Sequence, residues 1–551
     1  MPIQVKRRNT HKNKHKNKYK SITREEAGKA IAAGGFGCVF RPPIDCAGPK
    51  CKDIVKAPFV TKVMKKENAV DEMQEVNKVI PILSKIPHSE KYFLATDIFK
   101  PSKFGPLSAE DIQGFDRKCS NLTRYGIKST NVNNKLDSLG AIYIPDGGIS
   151  LKNFIDSCDF SIDNIKQIGI MNWALMELIQ KAIVPMNAAG LVHLDIKSDN
   201  ILMGKDFMAN ANNLPNPKII DWGLSVISLP TDKQVPNGAK HRPFQFNTPP
   251  SIIMLNPSIV IKLIRDTCDL KINTFPYPII KSLSTRIISY ASSIGFAGHL
   301  DYINSSLNAI TKLFAKYASL VGLSTITETC FHNATLGVGY IIDHISEVID
   351  KFSVKTNCGN NNTIKSLKFD SAKFYKEVFS KNCDIWGLLT VYDDFISKSI
   401  KNSSFATRIN VFLAMYEVIF KYCYSSKYAA IPIPISELLE DMKAVSIACG
   451  VPNAPIKKNT ELQQDVLNNH LLTHKKCPAG YRKIKNTPNC KRNIVSFKIS
   501  SQGLSAQGPS AQSPSAQGPS AQESHIILTP SKRCPRGYVR KRGTRKCIKK
   551  H

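Results

Sequence analysis

Acidic residues are almost missing from both ends of this chain. None occurs before Ser21, and Glu523 is the single acid in residues 475–551, a stretch that holds eighteen Lys or Arg. Residues 1–20 hold eight Lys or Arg. The two ends therefore carry +8 and +17 of a total +33, which leaves +8 for residues 21–474. A charge so one-sided excludes a self-paired ionic surface at the termini and favours polyanions, such as nucleic acid, anionic lipid or acidic protein. Long apolar runs are also lacking: no stretch of about 18 uninterrupted apolar residues appears, so no membrane span is expected. The N-terminal Met1-Pro-Ile-Gln-Val-Lys-Arg-Arg has charge with no apolar segment after it, which does not read as a secretory leader. The fifteen cysteines are scattered, many in apolar surroundings such as Cys158, Cys383 and Cys423, and together with the missing leader they point to reduced thiols inside a cell.

What is present is an ordinary globular middle. At 551 residues and 42% apolar, the chain can build several domains and a large core. Residues 28–65 alternate apolar runs with Gly and Pro, as short strands do. Residues 67–84 place Val70, Met73, Val76, Val79 and Ile80 at helical spacing, and 163–189 read as a long helix with Ile165, Ile168, Met171, Leu175, Leu178, Ile179 and Ile183 on one side. From 256 to 455 the period is mainly helical. A strand-rich front third and a helix-rich remainder predict an α+β fold in two lobes.

Beyond 455 the character changes. Residues 505–522 repeat Ser-Ala-Gln-Gly-Pro with no apolar residue larger than Ala, so they form a spacer without a core. One short module flanks it twice: C-P-A-G-Y-R-K-I-K-N-T-P-N-C at 477–490 and C-P-R-G-Y-V-R-K-R-G-T-R-K-C at 534–547. Both modules together could supply four thiolates to zinc. A disulfide within each, stacking of Tyr481 and Tyr538 on bases, and a plain basic tail with free thiols are the other readings.

The densest polar cluster lies at 191–203, L-V-H-L-D-I-K-S-D-N-I-L-M, walled on both sides by branched apolar residues. Phosphoryl transfer needs such fixed charges: an acid to meet the incoming hydroxyl, a cation for the phosphoryl group and side-chain oxygens for magnesium. His193-x-Asp195-x-Lys197-x-x-Asn200 resembles the catalytic loop of eukaryotic-type serine/threonine protein kinases. Other segments resemble their motifs in the same chain order. I-A-A-G-G-F-G-C-V-F at 31–40 is similar to the phosphate-covering loop, with Ala32 at its first glycine position. F-V-T-K-V-M at 59–64 resembles the strand of the phosphate-binding lysine, here Lys62. I-I-D-W-G-L at 219–224 resembles the magnesium motif, with Trp222 in place of Phe, and A-I-Y-I-P-D-G-G-I-S-L at 141–151 resembles the interlobe hinge. C-D-I-W-G-L-L at 383–389 resembles the helix whose Asp, here Asp384, anchors the catalytic loop.

The resemblance implies a two-lobed kinase fold with an N-lobe over 25–145 and a C-lobe over 146–455. The C-lobe would carry a helical insertion at about 256–380, and basic tails would occupy 1–24 and 456–551. It implies ATP and Mg2+ as cofactors and protein Ser/Thr hydroxyls as substrate. Asp195 would be the catalytic base and Lys197 a phosphate contact, with Asn200 and Asp221 as magnesium ligands. Lys62 would be paired by Glu75 in preference to Glu72. The nucleotide would be covered by Ala32, Ala33, Gly34, Gly35, Phe36, Gly37, Cys38 and Val39. Leu194 stands where kinases switched by activation-loop phosphorylation have Arg, so that switch is expected to be missing. No Ala-Pro-Glu closes the activation segment; R-P-F-Q-F-N-T-P-P-S at 242–251 stands there instead. That segment, the enlarged C-lobe and the tail modules resemble serine/threonine kinases of large nucleocytoplasmic DNA viruses, the iridovirus and mimivirus sort, which implies action in a host cytoplasm or a virion. Three rival readings are a catalytically weak pseudokinase scaffold, a small-molecule or lipid kinase sharing the fold, and a nucleic-acid-associated virion protein.

Overall fold

The computed structural model describes residues 29–33, 37–47, 51, 58–101, 103–204, 207, 213–229, 231–321, 338–359, 361–400 and 408–455, with short segments at 481–483, 490–492, 526–527, 538–540 and 546–549. They fall into two units, Met1–Lys457 and Lys458–His551. The fold is mixed α+β, mainly helical with small antiparallel sheets. Among the described residues no helix is long and apolar enough to cross a membrane.

The first unit opens with a four-stranded antiparallel sheet of β1 (Lys29–Ala33), β2 (Gly37–Arg41), β3 (Phe59–Lys65) and β4 (Leu139–Pro145), in that spatial order. The strands form where β-branched and aromatic residues alternate, and the alternation assigns two faces to β3. Phe59 and Val63 enter one core with Phe40, Phe99, Phe115, Leu122 and Tyr143. Met64 enters another with Ile142 and Ala69. Lys62, two residues before Met64, belongs to that second face.

Helix α1 (Lys66–Leu83) packs on this second face. Its buried residues are Ala69, Val76, Val79, Ile82 and Leu83. Val70, expected on the buried face, is 37% exposed; the small Ala69 takes the place against the sheet. The strand-rich front third is corrected as well. Beyond α1 the chain makes short helical turns at Ala109–Ile112, Phe115–Lys118 and Ser120–Arg124, whose Phe115 and Leu122 cover the outer face of the sheet.

Two helices, α2 (Leu151–Ser157) and α3 (Ile162–Leu178), follow the sheet, and α3 runs on through a π-helical turn at Ile179–Ile183 into Val184–Ala188. All seven apolar residues expected on its inner side are buried. They join Val76, Val79 and Leu83 of α1 in one large core, so α1 ties the sheet to the helices. Two two-residue ladders come next: β5 (Leu191–Val192) pairs with β8 (Val226–Ile227), and β6 (Ile201–Leu202) with β7 (Lys218–Ile219).

Residues 256–380 hold α4 (Pro257–Asp269), α5 (Tyr277–Ala291), α6 (Leu300–Val321) and α7 (Val338–Phe352). The expectation of a helical insertion needs amending, because a hairpin of β9 (Ser353–Cys358) and β10 (Asn361–Phe369) follows α7. The hairpin docks on α4, with the Leu367 N–H donating to Thr267 Oγ1 at 3.1 Å. Its core is shared with Val192 and Leu194, so the inserted segment packs directly against the 191–203 loop. Helices α8 (Ser380–Leu389), α9 (Val391–Ile400), α10 (Ile409–Ile419) and α11 (Ile435–Ala448) close the unit.

Among the cysteines whose side chains are described, Cys158, Cys383, Cys423 and Cys449 are buried free thiols, as expected. Cys38–Cys119, Cys46–Cys51 and Cys268–Cys358 are disulfides, with Cα–Cα distances of 5.1, 5.8 and 5.7 Å that suit a bridge.

In the second unit each Cys-Pro-x-Gly-Tyr module contains an antiparallel pair in one register. Tyr481 lies opposite Arg492 and Lys483 opposite Cys490; Tyr538 lies opposite Lys549 and Arg540 opposite Cys547. The N-terminal tail, the 505–522 repeat, Cys477 and Cys534 lie outside the described residues.

Candidate active site

The loop between β5 and β6 is held from below by one carboxylate. Asp384 of α8 is 1% exposed and accepts the His193 N–H at 2.8 Å, the Leu194 N–H at 2.9 Å and Asn187 Nδ2 at 2.7 Å. One turn further along α8 stands Gly387, where a Cβ would lie 2.5 Å from the Ile196 carbonyl oxygen. Only glycine lets the helix backbone approach the loop so closely. Leu194 has φ 61°, a left-handed turn that leaves consecutive N–H groups aimed at one carboxylate, and its side chain is buried in the core shared with α4 and α5.

Asp195, 6% exposed, is fixed on both oxygens. Oδ1 accepts Asn247 Nδ2 at 2.9 Å and Lys197 Nζ at 3.2 Å; Oδ2 accepts Lys197 Nζ and Asn200 Nδ2, each at 3.0 Å. The Asn200 amide also donates to the Asp195 carbonyl at 2.8 Å. These donors fix the direction of the carboxylate. The sequence reading did not assign Asn247 a role. No local spacing links its segment to Asp195. Arg242 of the same segment donates to the Leu194 carbonyl at 2.9 Å, so 242–247 is bound to the loop at two points.

The loop is joined to the Asp221 segment through His193. Its Nε2 lies 3.0 Å from the Ile220 carbonyl, and its ring meets Trp222 edge-on at 4.9 Å. Trp222 is buried, packs on Phe93 at 5.7 Å and donates to the Leu94 carbonyl. Its indole is therefore held between His193 and Phe93. Asp221 itself is exposed, with φ 71°, a conformation Asp tolerates better than bulkier residues.

Lys62 meets Glu72, with Nζ 2.8 and 2.7 Å from the two carboxylate oxygens. The expected partner Glu75 instead bonds Lys78 on the exposed side, at 2.7 Å. Glu72 lies about one turn nearer the N-terminus of α1, at the height where Ala69 touches the sheet, and Glu75 is carried past the lysine. Burial pulls the Lys62 ammonium downward, but the carboxylates of Glu72 and Asp221 outweigh it and hold its pKa above the usual lysine range. Helix α1 also packs against the Trp222–Leu224 turn, which brings β3, α1 and the 219–224 segment to one place.

Of the residues expected to cover phosphate, Ala32 and Ala33 end β1 and pair with Val39 and Cys38 of β2. Gly34, Gly35 and Phe36 lie outside the described residues. Val39 is also the register partner of Lys62, and Gly37 lies opposite Met64, where a Cβ would come 2.6 Å from the Val63 carbonyl. Cys38 is corrected: its fully buried sulfur is bonded to Cys119 in the outer core and does not face a nucleotide. Beyond β4, Arg41 bonds Asp146 Oδ1 at 2.5 Å and the Gly148 carbonyl at 2.6 Å, tying β2 to the 146–150 turn.

The donor set suits a magnesium ion that shares its coordination with phosphate and water, since Asp221 offers an exposed carboxylate and Asn200 an amide oxygen. Among the described residues no group of three or more His, Cys, Asp or Glu side chains could hold a metal, so an all-protein cage is not what these residues build. Searched against known families, the chain matches no family model, and no curated protein is significantly similar to it.

Proposed function

We propose that the chain is a serine/threonine protein kinase with the two-lobed kinase fold. It would transfer the γ-phosphoryl group of ATP to protein hydroxyls independently of activation-loop phosphorylation. The observation that carries this reading is the convergence of the Lys62–Glu72 pair, Asp221, and the Asp195, Lys197 and Asn200 cluster, drawn from segments far apart in the chain. In this reading the four-stranded sheet and α1 form the N-lobe, and the helices from α2 onward form the C-lobe.

Lys62 neutralises phosphate oxygens, and Glu72 keeps its Nζ in position. Asp195 takes the proton of the incoming hydroxyl as the new O–P bond forms and the bond to the ADP oxygen breaks. Lys197 offers its ammonium beside Asp195 to the charge on the transferred group. Asp221 and Asn200 would hold Mg2+, which when bound neutralises the phosphates and orients them for in-line transfer. Asn247 and Asp384 touch no reacting atom in this scheme; they position Asp195 and the loop backbone. Leu194 is buried among aliphatic side chains, which supports a loop that needs no phosphate to be set.

The strongly basic ends favour tethering to nucleic acid or another polyanion, raising the local concentration of nucleoprotein substrates. The resemblance to viral kinases makes the host cytoplasm or the virion the place of action. The test is Mg2+-dependent label transfer from ATP to a basic and an acidic protein, with and without DNA. Transfer to Ser or Thr supports the reading, and the same assay on a chain ending at 474 reports what the tail adds. No transfer to either protein overturns it.

A further inference from the structure

A cavity of about 540 Å³ opens beside β5 and the start of α8, a size within the range of small-molecule sites. The end of the helical segment after α3, the 228–229 turn, the start of α8 and residues 432–435 form its walls. Ile385 and Ile433 in its lining are 2% and 5% exposed. Two of its residues bring buried polar atoms with no protein partner: Asn187 Oδ1 and the Tyr375 hydroxyl. Tyr375 is itself 1% exposed. Two cations, Lys376 and Lys381, complete the lining, and no carboxylate does.

Orphaned buried polar atoms beside an apolar lining are what a ligand of matching chemistry would satisfy. Asn187 Oδ1 requires a donor. The Tyr375 hydroxyl can donate, and the Lys381 ammonium favours an anion. We propose that this cavity is a regulatory site for a small apolar carboxylic acid bearing one hydroxyl or N–H group. Its carboxylate is received by Tyr375 and Lys381, and its donor bonds Asn187.

The link to the loop is one side chain long. Asn187 Nδ2 donates to Asp384 Oδ2 at 2.7 Å and to the Leu191 carbonyl at 3.1 Å. The same Asp384 carboxylate holds the N–H groups of His193 and Leu194. A ligand that fixes the Asn187 amide therefore fixes the group that sets the loop. This coupling is structural and does not depend on phosphoryl transfer being the reaction.

The test uses the full chain with 4-hydroxyphenylacetate and indole-3-acetate as probes, titrated by calorimetry, and 4-hydroxyphenylacetamide as the uncharged control. The expected result is saturable binding of at least one acid, with the amide weaker. Tyr375→Phe removes a hydroxyl that has no protein partner, so folding is spared, and affinity falls about tenfold, the scale of one buried hydrogen bond. Leu229→Trp, at the half-exposed rim, blocks entry. Hydrogen exchange of the His193 and Leu194 amides slows in the bound chain. Absence of binding by both acids, equal affinity for the amide, or binding indifferent to Tyr375→Phe and Leu229→Trp overturns the site. Binding without any change in exchange at 193–194 overturns its coupling to the loop. A chain that binds the acids as expected yet transfers no phosphoryl group refutes the kinase reading and leaves this site standing.

Discussion

Replacing Asp384 by Ala asks how much of the loop is held by a single carboxylate. Its oxygens accept two backbone N–H groups, those of His193 and Leu194, and the Asn187 amide. After truncation Asn187 keeps its bond to the Leu191 carbonyl, but the two backbone donors are left buried without an acceptor. Each orphaned donor costs about 1–3 kcal/mol, so the loss is about 2–6 kcal/mol, set against a domain stability of about 5–15 kcal/mol. Asp384→Asn retains one acceptor oxygen and turns an N–H toward donors on the other side, so its loss should be intermediate. Urea unfolding measures this as a lower midpoint at unchanged slope. Hydrogen exchange of the His193 and Leu194 amides should accelerate more than that of α10. If Asp384→Ala lies within about 0.5 kcal/mol of the parent, as a surface substitution does, the anchoring argument is refuted.

Other expectations follow from neighbouring residues. Glu72→Gln should cut phosphoryl transfer at least about tenfold by releasing Lys62, whereas Glu75→Gln, whose partner Lys78 faces solvent, should stay within about twofold; equal effects would contradict the pairing. Phosphatase treatment should leave activity unchanged, because Leu194 offers a phosphoryl group no cation, and loss of activity would contradict this. The pH dependence of stability should show two opposed contributions. Burial holds Asp393 protonated up to about 7, against an ordinary 3.8, so its contribution is lost as pH rises through that window. Burial holds His344 neutral down to about 3, against an ordinary 6.5, so its contribution is lost as pH falls. Each slope is about 1.4 kcal/mol per pH unit. These two contributions oppose each other between about 4 and 6.5. Asp393→Asn should unmask the acid side, with the melting temperature falling steeply below pH 6.5; a level profile in that variant would contradict the assignment.

Much of the candidate site was legible because its residues sit at short fixed spacings. Asp195, Lys197 and Asn200 share one loop, and the apolar walls at 191–192 and 201–202 do form the strands that pin it. Lys62 lies between Val60-Thr61 and Val63, and Asp221 follows Ile219-Ile220, branched residues that read as strand. The Glu partner was not legible, since Glu72 and Glu75 differ by less than one helical turn. The rotation of α1 is set by Ala69 against the sheet, and an alanine carries little hydrophobic signal. Asn247 was invisible for another reason: its bond to Asp195 spans 52 residues with no intervening motif. The β9–β10 hairpin had a readable turn at Cys358-Gly359-Asn, with Gly359 at φ 59°, but the helical period on both sides masked it. Disulfide pairing follows from three-dimensional proximity, and the spacing of cysteines does not encode it.

The most direct test of the account is Mg2+-dependent transfer from ATP to protein hydroxyls by the parent chain and by Asp195→Ala. The carboxylate meets the incoming hydroxyl only if the segments around it share one nucleotide. The account predicts transfer by the parent and a loss of about 10²-fold or more in the variant, with the urea midpoint little changed. Near-parental transfer by Asp195→Ala would contradict it.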